Sequence, residues 1–259
     1  MPDETMKPAS DSKPFSPGLY YKLRNEMAKG KSRARKNVLD EILWAQIFSS
    51  TIRDSEWLRN KSFSPGMWAA GFPFLYLLYR VLRDAKPKII LELGLGETTR
   101  MISQYCATHL GVRHFVAEND PDWISFFSKS CSLTANTDIV TLPLALRPYR
   151  NSKAVRVYDG FAERFANEKY NLICIDGPLG GDMERYARID ALDLIPDSLS
   201  ETFTILVDDY NRSPERNMTK DLLRILNKMK IPYAWSIYSG IKRTAIICSE
   251  DNKFLTTLM

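Results

Sequence analysis

KIILELGLGETTR, running from Lys88 to Arg100, decides the fold. Its apolar stretch is short, rich in β-favouring residues and broken only by Glu92. Such a run reads as a strand buried on both faces. Gly94 and Gly96 let the backbone turn tightly and come close to a ligand. Thr98 or Thr99 can then cap the helix that follows.

Reading outward, strands and helices alternate. TTRMISQYCATHLG is helical and stops at Gly111. RHFVAEND is a second strand, PDWISFFSKSCSL a helix opened by Pro121, and DIVTLPLAL a third strand. FAERFANE is a short helix, YNLICIDGP a fourth strand, Glu184–Leu199 a helix, TFTILVDDY a fifth strand and Pro214–Lys230 a helix. IPYAWSIYSG and KRTAIICS stand close around Gly240 and predict an antiparallel hairpin. This pattern is an α/β fold with a doubly wound sheet covered on both faces. Upstream, Asn37–Asn60 carries Val38, Leu39, Ile42, Leu43, Ile47 and Phe48 near a 3.6 period, and Met67–Arg83 is a second helical block. Three regions follow: a polar and basic arm over 1–36, partly disordered and with a tail over 1–18; a helical extension or lid over 37–86; and the α/β domain over 87–259.

With 44% hydrophobic and 26% charged residues, the 259-residue chain is not disordered along most of its length. Its net charge of +5 does not suggest nucleic-acid binding by itself. Lys22 to Lys36 holds seven basic residues against the single Glu26, so the remainder of the chain is nearly neutral. That arm can contact an anionic membrane surface, nucleic acid or an acidic polymer, or be a solvated lead-in. Cys106, Cys131, Cys174 and Cys248 are widely spaced, which argues against a disulfide framework or structural zinc and for a reducing compartment. The N-terminus has no apolar core for secretion. Met67–Leu82 is too short and too interrupted to span a membrane. The expected location is cytoplasmic, with the arm permitting peripheral contact with a membrane.

In an open parallel sheet, ligands bind beyond the carboxyl ends of the strands. Thr99 stands where the dinucleotide fingerprint G-x-G-x-x-G needs its third glycine. Glu97 places negative charge at the helix N-terminus, where a pyrophosphate needs the opposite. The site therefore suits a ligand without phosphates. Glu118 closes strand two, 22 residues after Gly96, where an acid can accept hydrogen bonds from ribose hydroxyls. Asp120-Pro121 starts the next helix.

E-x-G-x-G at Glu92–Gly96, the acid Glu118, I-D-G-P at Ile175–Pro178 and the closing hairpin together resemble class I S-adenosylmethionine-dependent methyltransferases, over Pro87 to Ser249. The resemblance implies a Rossmann-like seven-stranded sheet in the order 3-2-1-4-5-7-6, its last strand antiparallel. It also implies S-adenosyl-L-methionine held by Glu92, Gly94, Gly96, Thr98, Thr99, Glu118 and Asp176. Within that superfamily, I-D-G-P and L-V-D-D-Y at Leu206–Tyr210 resemble metal-dependent O-methyltransferases of the macrocin and catechol type. This implies a small-molecule or saccharide acceptor. Asp176, Asp208 and Asp209 would hold Mg2+ or another divalent cation, since close carboxylates need a cation or a proton between them. Without a metal, Asp176 contacts cofactor or helix amides, and Asp208–Asp209 cap a loop. The lysine base of catechol-type enzymes is absent, because Leu179 holds its place. The candidate catalytic residues are thus Asp176, Asp208 and Arg185. Arg185, Arg188 and Arg212 either face an acidic acceptor or are surface charges, and His109 and His114 are structural. Two rival functions stay open on the residues alone. One is a binding or assembly module that has lost its chemistry. The other is an NAD-dependent oxidoreductase, which Thr99 and the hairpin disfavour.

Overall fold

A computed structural model describes residues 17–66, 68–131 and 133–258. The chain divides into two units, 1–36 and 37–259. In the first, only the helical backbone from Pro17 and a few side chains beyond residue 28 are described, and most of the tail expected over 1–18 lies outside the described residues. Helix α1 runs over Pro17–Ile52. It ends eight residues before the expected Asn60, and its buried face matches the expected one only at Ile47 and Phe48. Trp44, Phe48 and Ile52, four residues apart, are buried, whereas Val38, Leu39, Ile42 and Leu43 are exposed. Helix α2, Phe72–Arg80, is buried on almost every side and continues as one wide turn over Val81–Ala85.

The α/β region follows as β1 (Ile89–Leu93), α3 (Glu97–Thr108), β2 (Arg113–Glu118), α4 (Pro121–Ser130), β3 (Thr137–Thr141), β4 (Leu144–Tyr149), β5 (Ser152–Tyr158), α5 (Phe161–Phe165), β6 (Tyr170–Ile175), β7 (Leu199–Val207), α6 (Ser213–Lys228), β8 (Ala234–Ser239) and β9 (Arg243–Cys248). Seven strands form one sheet in the order β3-β2-β1-β6-β7-β9-β8. Only β9 is antiparallel to its neighbours. Counting the sheet's own strands in chain order, this is 3-2-1-4-5-7-6, the order the resemblance implied. Side-chain alternation sorts the core between the two faces. Ile90, Leu172, Cys174, Leu206 and Ile246 pack toward α1, α2 and α3. Leu91, Leu93, Ile173, Ile205 and Ile247 pack toward α5 and α6. Each such buried side chain contributes roughly 1.5–3 kcal/mol.

Two expected elements come out differently. The run DIVTLPLAL is two strands in two sheets. It breaks at Leu142-Pro143, after which β4 pairs with β5 in a separate two-stranded ribbon. Arg150 takes the ribbon's turn at φ 50°, without the Asn-Gly signal that marks such turns. The helix expected over Glu184–Leu199 is mostly turn, with one tight helical turn at Ile189–Asp193. Arg188 precedes it at φ 55°, its guanidinium folded onto buried carboxylates. Long-range ion pairing overrides the local helical pattern.

Candidate functional site

Strands β1, β2, β6 and β7 end at one edge of the sheet. Because β9 is antiparallel to β7, the β8–β9 turn lies at that same edge. A cleft of about 840 Å3 opens there, with Gly96, Glu118 and Trp123 on one side and Asp176, Arg188 and Lys242 on the other. Ser64, Gly66, Trp68, Ala69 and Ala70 form part of its wall, with Trp68 largely exposed. The volume falls within the ~300–1,000 Å3 typical of small-molecule sites.

On the first side, neutral donors hold Glu92 and Glu118, while Arg100 pairs with Glu97 at 3.1 Å. Glu92 is fully buried and accepts hydrogen bonds from the hydroxyls of Thr98 and Thr99, with His114 Nε2 at 3.1 Å. It ties α3 to the sheet and does not line the cleft. Thr99 also accepts from the Gly96 amide at 3.0 Å, closing the loop. Glu118 Oε2 accepts from the Leu95 amide at 3.0 Å, and Oε1 accepts from the amides of Asn119 and Asp120. A carboxylate offers about four lone-pair sites, so Glu118 retains capacity for hydroxyls in the cleft. Gly94, at φ 96°, packs against the β6 end; a β-carbon there would lie 3.2 Å from the Gly177 amide nitrogen. Gly96 is extended, and a β-carbon there would meet nothing within 4 Å. The two glycines thus differ: one permits close backbone packing, the other leaves space open.

Opposite, cations hold the carboxylates. Arg188 is 3% exposed and reaches Asp176 at 3.2 Å, Asp209 at 2.9 Å and Glu215 at 4.0 Å. Arg212 contacts Asp209 at 3.1 Å and Glu215 at 3.6 Å. Lys242 Nζ stands 2.9 Å from Asp208 and 3.4 Å from Asp209. Burial, and then the neighbouring Asp208, push Asp176 well above the ordinary carboxylate range, against the pull of Arg188. Burial also raises Asp208 and Glu215. Lys242 is raised overall, because the three aspartates outweigh its desolvation.

Oxygens of Asp176, Asp208 and Asp209 do come within 4.8 Å of one another, and Asp208 Oδ1 and Asp209 Oδ1 are buried without a hydrogen-bond partner. The donor set nevertheless does not fit a divalent ion. Three cations already face the four carboxylates, and the lysine ammonium fills the gap between Asp208 and Asp209. A Mg2+ at about 2.1 Å from both would have to share that gap with it.

Of the residues singled out in the sequence, Gly94, Gly96, Thr98, Glu118, Asp176, Arg188, Asp209 and Arg212 line the cleft, so the two arginines are not plain surface charges. Glu92, Thr99 and Asp208 lie behind them, and Asp208 is fully buried. Arg185 is half exposed and faces Asn151–Ala154 of the β4–β5 ribbon, away from the cleft. His114 is buried against Glu92, while His109 stacks on Tyr105. Lys242, Glu215 and Trp123 escaped notice. Lys242 was within reach, since a hairpin closing a parallel sheet with an antiparallel last strand must turn at the ligand-binding edge.

No protein family profile and no curated protein matches the sequence. Among solved structures, the SAH-bound Podospora anserina methyltransferase PaMTH1 is similar at 16% identity, with 94% of this chain and 100% of that one covered and a TM-score of 0.42. An O-methyltransferase from Bacillus cereus in complex with SAH is 13% identical over 81% of this chain and 90% of that one, at 0.49. The O-methyltransferase TomG from Streptomyces achromogenes, in complex with SAM, is 10% identical over 80% and 89%, at 0.46. Identities this low leave the function to be read from the chain's own residues.

Proposed function

We propose that this chain is an S-adenosylmethionine-dependent methyltransferase that acts on a hydroxyl of a small-molecule or saccharide acceptor. One observation carries the reading: the glycine loop and Glu118, whose carboxylate is held by backbone amides and not by a cation, open into the same cleft as Asp176. S-adenosylmethionine supplies a methyl group on a positively charged sulfur, so that the C–S bond breaks as the acceptor's O–C bond forms. Glu118 is placed to accept from ribose hydroxyls, and Gly96 leaves room beside them. Asp176, a fifth exposed in the cleft, is the candidate base for the hydroxyl proton. Its raised proton affinity suits that role, and Arg188 orients its carboxylate. Asp208 has no face on the cleft and supports the cluster instead. Ser64, Gly66, Trp68, Ala69 and Ala70 would meet the acceptor. Alignment of hydroxyl and methyl carbon supplies most of the remaining acceleration.

Calorimetry of the full chain with S-adenosylmethionine and with its demethylated product tests this. Both should bind in the micromolar range, and Glu118→Ala should weaken both. Absence of heat at millimolar ligand, in protein that melts cooperatively, would end the reading.

A further inference from the structure

We propose that Lys242 is a resident cation standing where a divalent metal would otherwise bind, so that chemistry in this cleft runs without a metal. The exclusion of metal rests on geometry alone; the catalytic consequence rests on the methyltransferase reading. Lys242 has little freedom to leave. Its side chain is 12% exposed, and its ammonium stands between Asp208 and Asp209. The backbone on either side of it is pinned. Glu41, on α1, accepts from the amide of Ile241 at 2.8 Å and from that of Phe72 at 2.8 Å. A β-carbon at Gly240 would collide with that same carboxylate, so the turn closes directly onto it. On the far side, the Arg243 carbonyl accepts from Tyr210 at 2.8 Å and its amide donates to Asn211.

An ammonium has three protons to donate. Asp208 Oδ2 takes one at 2.9 Å, Asp209 Oδ1 stands 3.4 Å away as an ion-pair partner only, and Lys242 lines the cleft beside Asp176, which leaves donor capacity for an acceptor oxygen. A bound metal would draw the acceptor's oxygen toward itself and stabilise it as its proton leaves. Here a monovalent charge does so, while the proton passes to Asp176. Lysine is thereby a catalytic residue contributed by the sheet's closing hairpin.

The test uses the full chain with Mn2+ as the probe, followed by thermal melting and by the spin signal of free Mn2+. Wild type should melt at the same temperature with or without millimolar Mn2+ or chelator. Lys242→Ala removes the ammonium and leaves the carboxylates facing each other. It should melt lower without metal, regain stability with Mn2+, and bind the ion at least about tenfold more tightly than wild type. Lys242→Arg should stay indifferent to Mn2+, which a general loss of packing would not explain. If Lys242→Ala does not fold, Lys242→Met serves the same comparison with a longer apolar stem. Binding of one Mn2+ by wild type that Asp209→Asn abolishes, or a folded Lys242→Ala or Lys242→Met with no gain in Mn2+ affinity, would overturn the proposal. Calorimetry with S-adenosylmethionine on the same samples separates the two ideas. A wild type that ignores both Mn2+ and the cofactor would retire the methyltransferase reading while leaving the lysine's place in the site standing.

Discussion

On the glycine-loop side of the cleft, Glu92 and Glu118 are held by hydroxyls, an imidazole and three backbone amides. A few residues away, Asp176, Asp208, Asp209 and Glu215 are held by Arg188, Arg212 and Lys242. Both arrangements answer the cost of burying a carboxylate. They leave different surroundings for a ligand. Neutral donors share the burden among many weak partners and keep the local formal charge negative, which suits a cationic sulfonium group. Discrete cations nearly cancel the charge but concentrate the burden on a few side chains. The ion-paired side should therefore be brittle and the amide-bound side tolerant.

The sharpest way to break that contrast is Arg188→Met. It leaves three carboxylates without their central partner in a buried site, at a cost of about 3–5 kcal/mol in unfolding free energy. Glu92→Gln, equally buried, keeps its shape and most of its acceptor capacity and should cost no more than about 2 kcal/mol. Urea unfolding of the two variants compares them directly. Equal losses would show that the two sides do not differ in kind.

Asp190 is an intermediate case. One carboxylate oxygen accepts from the Tyr158 amide at 2.7 Å, while the other is buried without a partner. Burial pushes this group up to about 7, from an ordinary value of 3.8. The folded chain then holds a proton that the unfolded chain has already released. Raising the pH from about 4 through 7 should therefore strip stability progressively, and the loss should level off above 7. At about 1.4 kcal/mol per pH unit the full effect reaches up to about 4 kcal/mol. Asp190→Asn retains the acceptor for Tyr158 and should flatten the slope while raising stability at pH 8. Parallel pH profiles of wild type and variant would show that another group carries the slope.

What could be read in the sequence follows the same division. The glycine loop, Glu118 and the strand order are local: each follows from a few consecutive residues and the rule that ligands bind at the strands' carboxyl ends. Asp176, Asp208 and Asp209 were recognisable as a cluster for the same reason. Arg188 and Arg212 were noticed as cleft candidates but not as the aspartates' partners, and Glu215 and Lys242 were not noticed, because these residues come from a turn, a helix and a hairpin that meet only in the folded chain. Reading the three aspartates alone suggested a metal; reading them with their cations is what motivates the proposal that Lys242 stands in its place. Locality also explains the misplaced helix over 184–199, where a left-handed Arg188 follows distant carboxylates rather than its neighbours.

On the tolerant side, Glu118→Ala should lower affinity for S-adenosylmethionine by about 1.5–3 kcal/mol, the scale of a hydrogen bond to a charged group. Because Glu118 also braces the amides of Leu95, Asn119 and Asp120, some stability should go with it. Glu118→Gln keeps one amide acceptor and should separate the two losses in calorimetry and melting. A variant that loses stability but binds unchanged would make Glu118 a brace only.

The smallest effects should come from the two glycines. Gly94→Ala puts a side chain on backbone at φ 96° and against the Gly177 amide, so it should cost at least about 1–2 kcal/mol of stability. Valine there would do more, and unfolding would precede any loss of binding. Gly96 has extended backbone that any residue adopts and open space around its missing side chain. Gly96→Ala should leave stability within about 0.5 kcal/mol of wild type. It should still weaken S-adenosylmethionine binding, because the added methyl group occupies the volume the loop leaves open to the cleft. Melting and calorimetry on the same two variants therefore read out packing at one glycine and ligand space at the other. If Gly96→Ala binds as tightly as wild type, the open volume beside Gly96 is solvent and the ligand approaches the loop elsewhere.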